Sequence, residues 1–366
     1  MTTDTLPKLR LLGMGQLLDQ AIRLYRRNFL KFIGIIAVVQ IPLTLFNLLT
    51  SLLTFGDMFA RLQSPGRPQM ADPFEVLGPR YFAGMGSTCI LGIIGFVLIQ
   101  GVATAALTQA VTDHYLGRST SFLGAYRKIG RSWLRLVGAM VLAFISSIAL
   151  FIWLLIPCIG WLTGIGFLTF FWLVITPLLA PIVVLERQRA LHALRRAWDL
   201  ARRRFWWVMG FVAVLFVFNQ LLVSGPSLLI NLLFQFLTES FLRLENLSTT
   251  YVLQTVTQTL LTLITSLIYL PLQQTSITLM YFDLRVRTEG FDLALQAEGT
   301  SGVPIAIEEL IAQAPPPERK GLVTWTELGY FVLISIGAGI VFLALYMIFM
   351  VVAFALVGLS GGLPGF

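Results

Sequence analysis

The residues with the reach for acid-base or metal chemistry are few and scattered. His114 and His192, the only two histidines of the chain, stand in separate basic segments without carboxylates or cysteines at metal-ligand spacing. No glycine-rich phosphate loop follows a strand pattern, and no nucleophile elbow is present. Cys89 and Cys158 lie in or beside apolar runs, where a thiol behaves as a small hydrophobe, and no disulfide is expected. An Asn-Leu-Ser triplet at Asn246 fits a glycosylation acceptor on three residues only. The expectation is a non-enzymatic chain with no catalytic residue, no metal ligand and no cofactor.

The types and spacing that do recur suit an interface. AIRLYRRNFLKFIG (Ala21 to Gly34), AYRKIGRSWLRLVG (Ala125 to Gly138) and AWDLARRRFWWVMG (Ala197 to Gly210) share alanine first, arginine seventh, a ring ninth and glycine last. The shared arginines are Arg27, Arg131 and Arg203, with Arg26 beside the first, and the shared rings are Phe29, Trp133 and Phe205. Leu18, Phe122 and Leu194 stand three places ahead of the alanines. On a helix, Leu18, Ala21, Ile22, Tyr25 and Phe29 fall on one face and Asp19, Arg23, Arg26 and Arg27 on the other. Such a helix suits the headgroup layer, with rings inward and arginines against anionic headgroups. These seven arginines and rings are the expected lipid-contact residues.

The elements that must position them are membrane spans. The chain has 366 residues, of which 57% are hydrophobic and 12% charged, more apolar surface than a soluble fold of this size buries. A span needs about 20 mostly apolar residues, and runs near 32–55, 84–111, 134–156, 160–185, 207–236, 251–280 and 327–357 meet that need. The first is too long for the apolar core of a cleaved signal peptide. Between the third and fourth, IPCIGW reads as a tight turn, with Pro157 ending one helix and Gly160 supplying backbone freedom. Every second loop is rich in arginine and lysine, which places those loops and the N-terminus in the cytoplasm and the C-terminus outside a cell (inner) membrane. The net charge of +8 then sits on one side and calls for anionic lipid rather than nucleic acid.

The expected architecture is an all-α polytopic bundle: residues 1–295 as three units of interfacial helix plus two spans, 296–324 as a cytoplasmic linker kept extended by APPPERK, and 325–366 as a seventh span and short tail. No acid or base lies at mid-depth in a span, which weighs against ion-coupled transport. Gln254, Gln258, Thr262, Thr265 and Gln273 follow one face of the sixth run, and Asn219, Gln220, Asn231 and Gln235 lie in the fifth, a pattern that glues helices. Proline interrupts the fourth run at Pro177 and Pro181, the fifth at Pro226 and the sixth at Pro271. Broken spans can border a cavity, so a polar cavity between the fifth and sixth is expected, bounded by Ser224, Gly225, Gln273 and Gln274.

The closing stretch MYFDLRVRTEGFDL interleaves acids with arginines. Tyr281, Asp283, Arg285, Arg287 and Glu289 read either as a helix exit held at the headgroups or as a docking point whose acids, Asp283 foremost, pair with arginines of the interfacial helices. With the N-terminal LGMGQLLDQAIRLYRRNF, the closing YFDLRVRTEGFDL resembles the prokaryotic family of the glycerophosphoryl diester phosphodiesterase membrane domain and its stand-alone relatives, over roughly residues 8–295. The resemblance implies a membrane module without the soluble catalytic barrel, since only a linker and one more span follow. The expected role is lipid contact or scaffolding of a protein partner; the alternative is a permease or lipid-handling transporter for an uncharged or amphipathic substrate.

Overall fold

The computed structural model describes residues 12–62, 79–118, 120–237, 247–294, 307–313 and 323–359. Among them there is no strand, and seven helical stretches are long and apolar enough to cross a membrane: Phe29–Thr54, Ala83–Tyr115, Ser132–Leu154, Ile159–Leu185, Phe205–Phe236, Thr249–Glu289 and Trp325–Ile348. Large apolar side chains such as Phe46, Ile93, Phe151, Leu229 and Ile340 point outward from them, which only a lipid solvent tolerates at this density. The chain is an all-α, multi-pass membrane protein. Asn246 of the acceptor triplet and the proline run at 315–317 lie outside the described residues.

Amphipathic helix α1 (Met14–Arg27) leads into α2 (Phe29–Leu62), the first span. The second span joins α3 (Pro79–Phe96) to α4 (Thr104–Tyr115) through a π-helical segment, Val97–Ala103. Amphipathic α5 (Phe122–Ile129) leads into α6 (Ser132–Leu154), followed by α7 (Ile159–Phe170), a second π segment (Phe171–Ile175) and α8 (Thr176–Leu185). Amphipathic α9 (Ala190–Arg202) leads into α10 (Phe205–Asn219), a third π segment (Gln220–Ser224) and α11 (Gly225–Leu237). The sixth span is α12 (Leu247–Glu289); the short α13 (Ile307–Ala312) and the seventh span α14 (Trp325–Leu359) complete the described elements.

Each of the first five spans packs on the next, and the sixth packs on the first, so the six close into a ring. The second, fourth and sixth also touch one another, forming an inner triangle with the odd spans outside it. The amphipathic helices line one end. Their aligned alanines Ala21, Ala125 and Ala197 are each 0% exposed, because α1, α5 and α9 turn their apolar faces into the protein as well as toward lipid. Each helix breaks beside the shared arginine: at Asn28, at Gly130 with φ 52°, and at Arg204 with φ −135°.

The turn between the third and fourth spans forms at IPCIGW, but the roles of its residues differ from expectation. Cys158, exposed and free, carries the positive φ of 63°. Gly160 is needed for closeness, since a Cβ there would lie 2.3 Å from the Trp153 carbonyl oxygen. The seventh span is anchored in the same way. A Cβ on Gly166 would lie 2.0 Å from the Phe331 carbonyl oxygen, and the Gly166 N–H donates to Ser335 Oγ at 2.7 Å. Within the 296–324 stretch, the described residues 307–313 dock on the bundle. Leu310 and Ile311 of α13 are buried, because the short run IEELIA carries enough apolar surface to dock.

Candidate functional site: a buried charge ring and two cavities

Three carboxylates end the inner spans at the basic end: Asp113 on α4, Glu186 just past α8 and Asp283 on α12. They are 1%, 3% and 4% exposed. A carboxylate this deep is tolerated only with hydrogen-bonded partners. Asp113 Oδ2 accepts from the Thr120 hydroxyl at 2.5 Å and Lys128 Nζ at 2.8 Å, and Oδ1 from Gln109 Nε2 at 3.3 Å. Glu186 accepts from Arg196 Nε at 3.2 Å and from the Tyr281 hydroxyl at 2.8 Å. Asp283 accepts from the Leu12 backbone N–H at 3.2 Å and Arg287 Nε at 2.7 Å, while Arg287 Nη2 donates to the Leu12 carbonyl.

The partners fall in order. Lys128 is on α5, Arg196 on α9, and Leu12 stands just before α1. Each even span therefore ends in an acid that holds the amphipathic helix beginning the next pair of spans, and the sixth returns to the start of the chain. Arg285, 2% exposed, ties in α13: it donates to Glu289 Oε2 at 3.1 Å, to the Tyr281 hydroxyl at 3.2 Å and to the carbonyls of Ile311 at 2.7 Å and Gln313 at 3.0 Å. Its guanidinium lies 4.4 Å from the Phe291 ring centre. Glu289 Oε1 pairs in turn with Arg196 Nη2 at 2.5 Å.

Burial alone would lower the Arg196 pKa, but the carboxylates of Glu186 and Glu289 outweigh it and hold the guanidinium above its ordinary value. Tyr25 on α1 donates to the Ile268 carbonyl at 3.0 Å, and Tyr126 on α5 to the Ile35 carbonyl at 2.5 Å. Desolvation pushes both phenols up to about 12.

The sequence-predicted residues divide accordingly. Arg26, Arg27, Arg131 and Arg203 are exposed, and Arg203 Nη1 donates to the Thr288 carbonyl at 3.2 Å. Phe29 is partly exposed and Trp133 half-buried. Phe205 is a correction to the lipid-contact set: it is 4% exposed and stacks on Phe170 with ring centres 4.4 Å apart, because the seventh span covers it. Tyr281, Asp283, Arg285, Arg287 and Glu289 lie in one largely buried charged layer rather than forming a headgroup anchor, in two bonded sets: Tyr281, Arg285 and Glu289 in one, Asp283 and Arg287 in the other. Within it Asp283 pairs with Arg287 of its own helix, contrary to the expected interfacial arginine, whereas Glu289 does pair with one, Arg196.

The expected cavity is also relocated. Gln273 and Gln274 line a cavity of about 230 Å³, but its other walls come from the first four spans, including Thr104, Met140, Trp172 and Thr176. It lies between the inner spans and the first and third. Ser224 and Gly225 are not among its lining residues; the Ser224 hydroxyl turns to Gln220 Oε1 at 3.2 Å, because the fifth span belongs to the outer set. Two π segments border the cavity. A π turn bonds the carbonyl five residues back, and the hydroxyls of Thr104 and Thr176 add a second bond to theirs, Ile99 at 2.8 Å and Phe171 at 3.1 Å. Gln274 Nε2 donates to Thr108 Oγ1 at 2.8 Å, crossing from the sixth span to the second.

A second cavity, of about 120 Å³, opens at the basic end between α4, α5, the start of α6 and the end of α8. Asp113, Lys128, Glu186, Arg196 and the Leu12 backbone were missed by sequence reasoning. The available signal was an acid ending an even apolar run with a base 10 to 15 residues on. His114 Nδ1 is engaged with the Ala110 carbonyl at 2.8 Å, and among the described residues no group of three His, Cys, Asp or Glu is arranged to hold a metal ion.

No family model, no curated protein and no solved structure matches this chain.

Proposed function

We propose that the chain is a non-enzymatic, lipid-contacting module of the cell membrane, with the charge-ring end and the N-terminus in the cytoplasm and the C-terminus outside. The observation that supports this reading is the outward exposure of Arg26 and Arg27 on α1 and of Arg131 in the turn after α5, where the other faces of both helices are held by the buried ring. Cations so placed meet the headgroups of the facing leaflet, at about 1 kcal/mol per residue near an anionic surface. Kinship with the glycerophosphoryl diester phosphodiesterase membrane domain belongs to the same reading and rests on the opening and closing motifs. In nanodiscs, the purified protein should retain anionic over zwitterionic lipid in native mass spectrometry, and Arg26→Gln with Arg27→Gln and Arg131→Gln should abolish the preference. Equal retention by both proteins contradicts the reading.

The larger cavity favours a second reading, a lipid-handling protein for an amphipathic substrate, because amides and hydroxyls line a space between the spans. Scrambling of labelled lipid in proteoliposomes, lost in Gln273→Leu, supports it; transport equal to empty vesicles removes it.

A further inference from the structure

We infer that the cavity at the basic end is a binding site for a phosphate group. The inference goes beyond surface lipid contact: it uses none of the exposed arginines named for that role, and it stands or falls separately.

Arg118, Lys128 and Arg187 line this cavity with a single carboxylate, Asp113, in a space of about 120 Å³. The carboxylate is already engaged by Thr120, Lys128 and Gln109. It takes one of the three N–H donors of the Lys128 ammonium and fixes its position, while the side chain stays 44% exposed. Thr112 lines the same cavity. It is 2% exposed, yet its hydroxyl has no hydrogen-bond partner among the described residues. A threonine hydroxyl within a helix ordinarily bonds the carbonyl one turn back, as Thr108 does to Thr104 at 2.8 Å. An orphaned donor beside three cations marks a missing acceptor.

The backbone supports the same ligand. Ser132, also in the wall, opens the 23-residue helix α6, whose first N–H groups favour an anion. Arg187 holds a φ of 54°, in the left-handed region that arginine seldom adopts, and its carbonyl accepts from Arg135 Nη1 at 3.1 Å. From this turn just past α8, Arg187 lines the cavity. Hydroxyl, ammonium and guanidinium donors around a small space suit a phosphate monoester, with charge-assisted bonds stronger than neutral ones. The source of the phosphate is either a lipid headgroup or the free ion.

The test uses the full chain in a neutral maltoside detergent, titrated with inorganic phosphate, with short-chain phosphatidic acid and with short-chain phosphatidylcholine, and read by calorimetry. Saturable binding of phosphatidic acid but not phosphatidylcholine is expected. Binding of inorganic phosphate as well assigns the free ion, and its absence assigns the headgroup. Arg187→Asn, which keeps a residue tolerant of positive φ, should weaken binding by about tenfold or more. Thr112→Val should weaken it several-fold, and the paired change Lys128→Gln with Asp113→Asn, which removes both ions together, should abolish it. All three variants should elute as the parent does on size exclusion. Absence of saturable binding to either phosphate compound overturns the proposal, as does equal affinity in parent and variants that elute normally. Loss of the surface lipid preference in nanodiscs with this binding intact would fault the surface reading alone.

Discussion

The two parts of the sixth-span helix are held by different forces. From Thr249 to Gln274, α12 is exposed or half-buried at most positions, and its neighbours are reached through hydroxyls and amides: Ser51 with Tyr251 at 2.9 Å, Gln254 to Asn231 at 3.1 Å, Gln40 to Ser266 at 2.6 Å. From Thr275 to Val286 every residue is buried, and the contacts become ionic. In lipid there is no hydrophobic gain from bringing helices together, so small polar contacts set the packing. At the basic end the helix enters a layer where α1, α4, α8 and α9 surround it with protein. There an ion must be matched or the fold fails. Most of the specific stability should therefore lie in the charged layer.

The strongest way to break this contrast is to orphan a buried ion. Arg196→Met leaves Glu186 and Glu289 facing each other without their shared cation, and about 3–5 kcal/mol of stability should be lost. Thermal unfolding in detergent should show it, and a melting temperature equal to the parent's would mean the network is not structural. Gly166→Val is next. Its side chain enters the space of the Phe331 backbone, so α14 must move off α7, at a cost of about 1–3 kcal/mol. Protease cleavage near the linker should accelerate while the six-span ring stays folded.

Alkaline pH sharpens the comparison with a smaller effect. Tyr25 and Tyr126 titrate at about 12 in the fold, against 10.0 when unfolded. The folded state holds its proton more tightly, so this stabilisation is complete below pH 10.0 and is lost as pH rises toward 12. The double change Tyr25→Phe and Tyr126→Phe should lower stability below that window and flatten the decline within it; an unchanged slope in a pH series of melting curves counts against buried phenols. The smallest effect belongs to the lipid-embedded half. Gln254→Leu removes the amide bond to Asn231, and about 0.6 kcal/mol should go with it. A loss as large as that of Arg196→Met would erase the distinction between the two parts.

The spans were legible because hydrocarbon demands about 20 uncharged residues in a row, and that demand leaves a pattern no other environment imposes. The amphipathic helices were legible for a related reason, since Ala21, Ala125 and Ala197 sit where their faces touch protein. Arg285 and Arg287 were ambiguous because arginine beside aromatic rings has one signature at a headgroup layer and the same signature in a buried ion network. Closure of Asp283 onto Leu12 joins residues 271 positions apart, a pairing that local periodicity does not carry. The cavity was half legible. Gln273 and Gln274 announce a polar face, but which spans stand opposite depends on the ring, and the Val97–Ala103 π segment contains no proline to betray it. Residues of α13 were too few for their apolar pair, Leu310 and Ile311, to stand out from linker composition.

The most direct measurement is hydrogen exchange by mass spectrometry on nanodisc-embedded protein carrying Asp113→Asn, Glu186→Gln or Asp283→Asn. Each change should raise exchange chiefly in the amphipathic helix its acid holds: α5 for the first, α9 for the second and residues 12–27 for the third. Exchange that rises alike in all three helices, or that leaves residues 12–27 unaffected when Asp283 is changed, would contradict a ring in which each inner span secures the helix of the next.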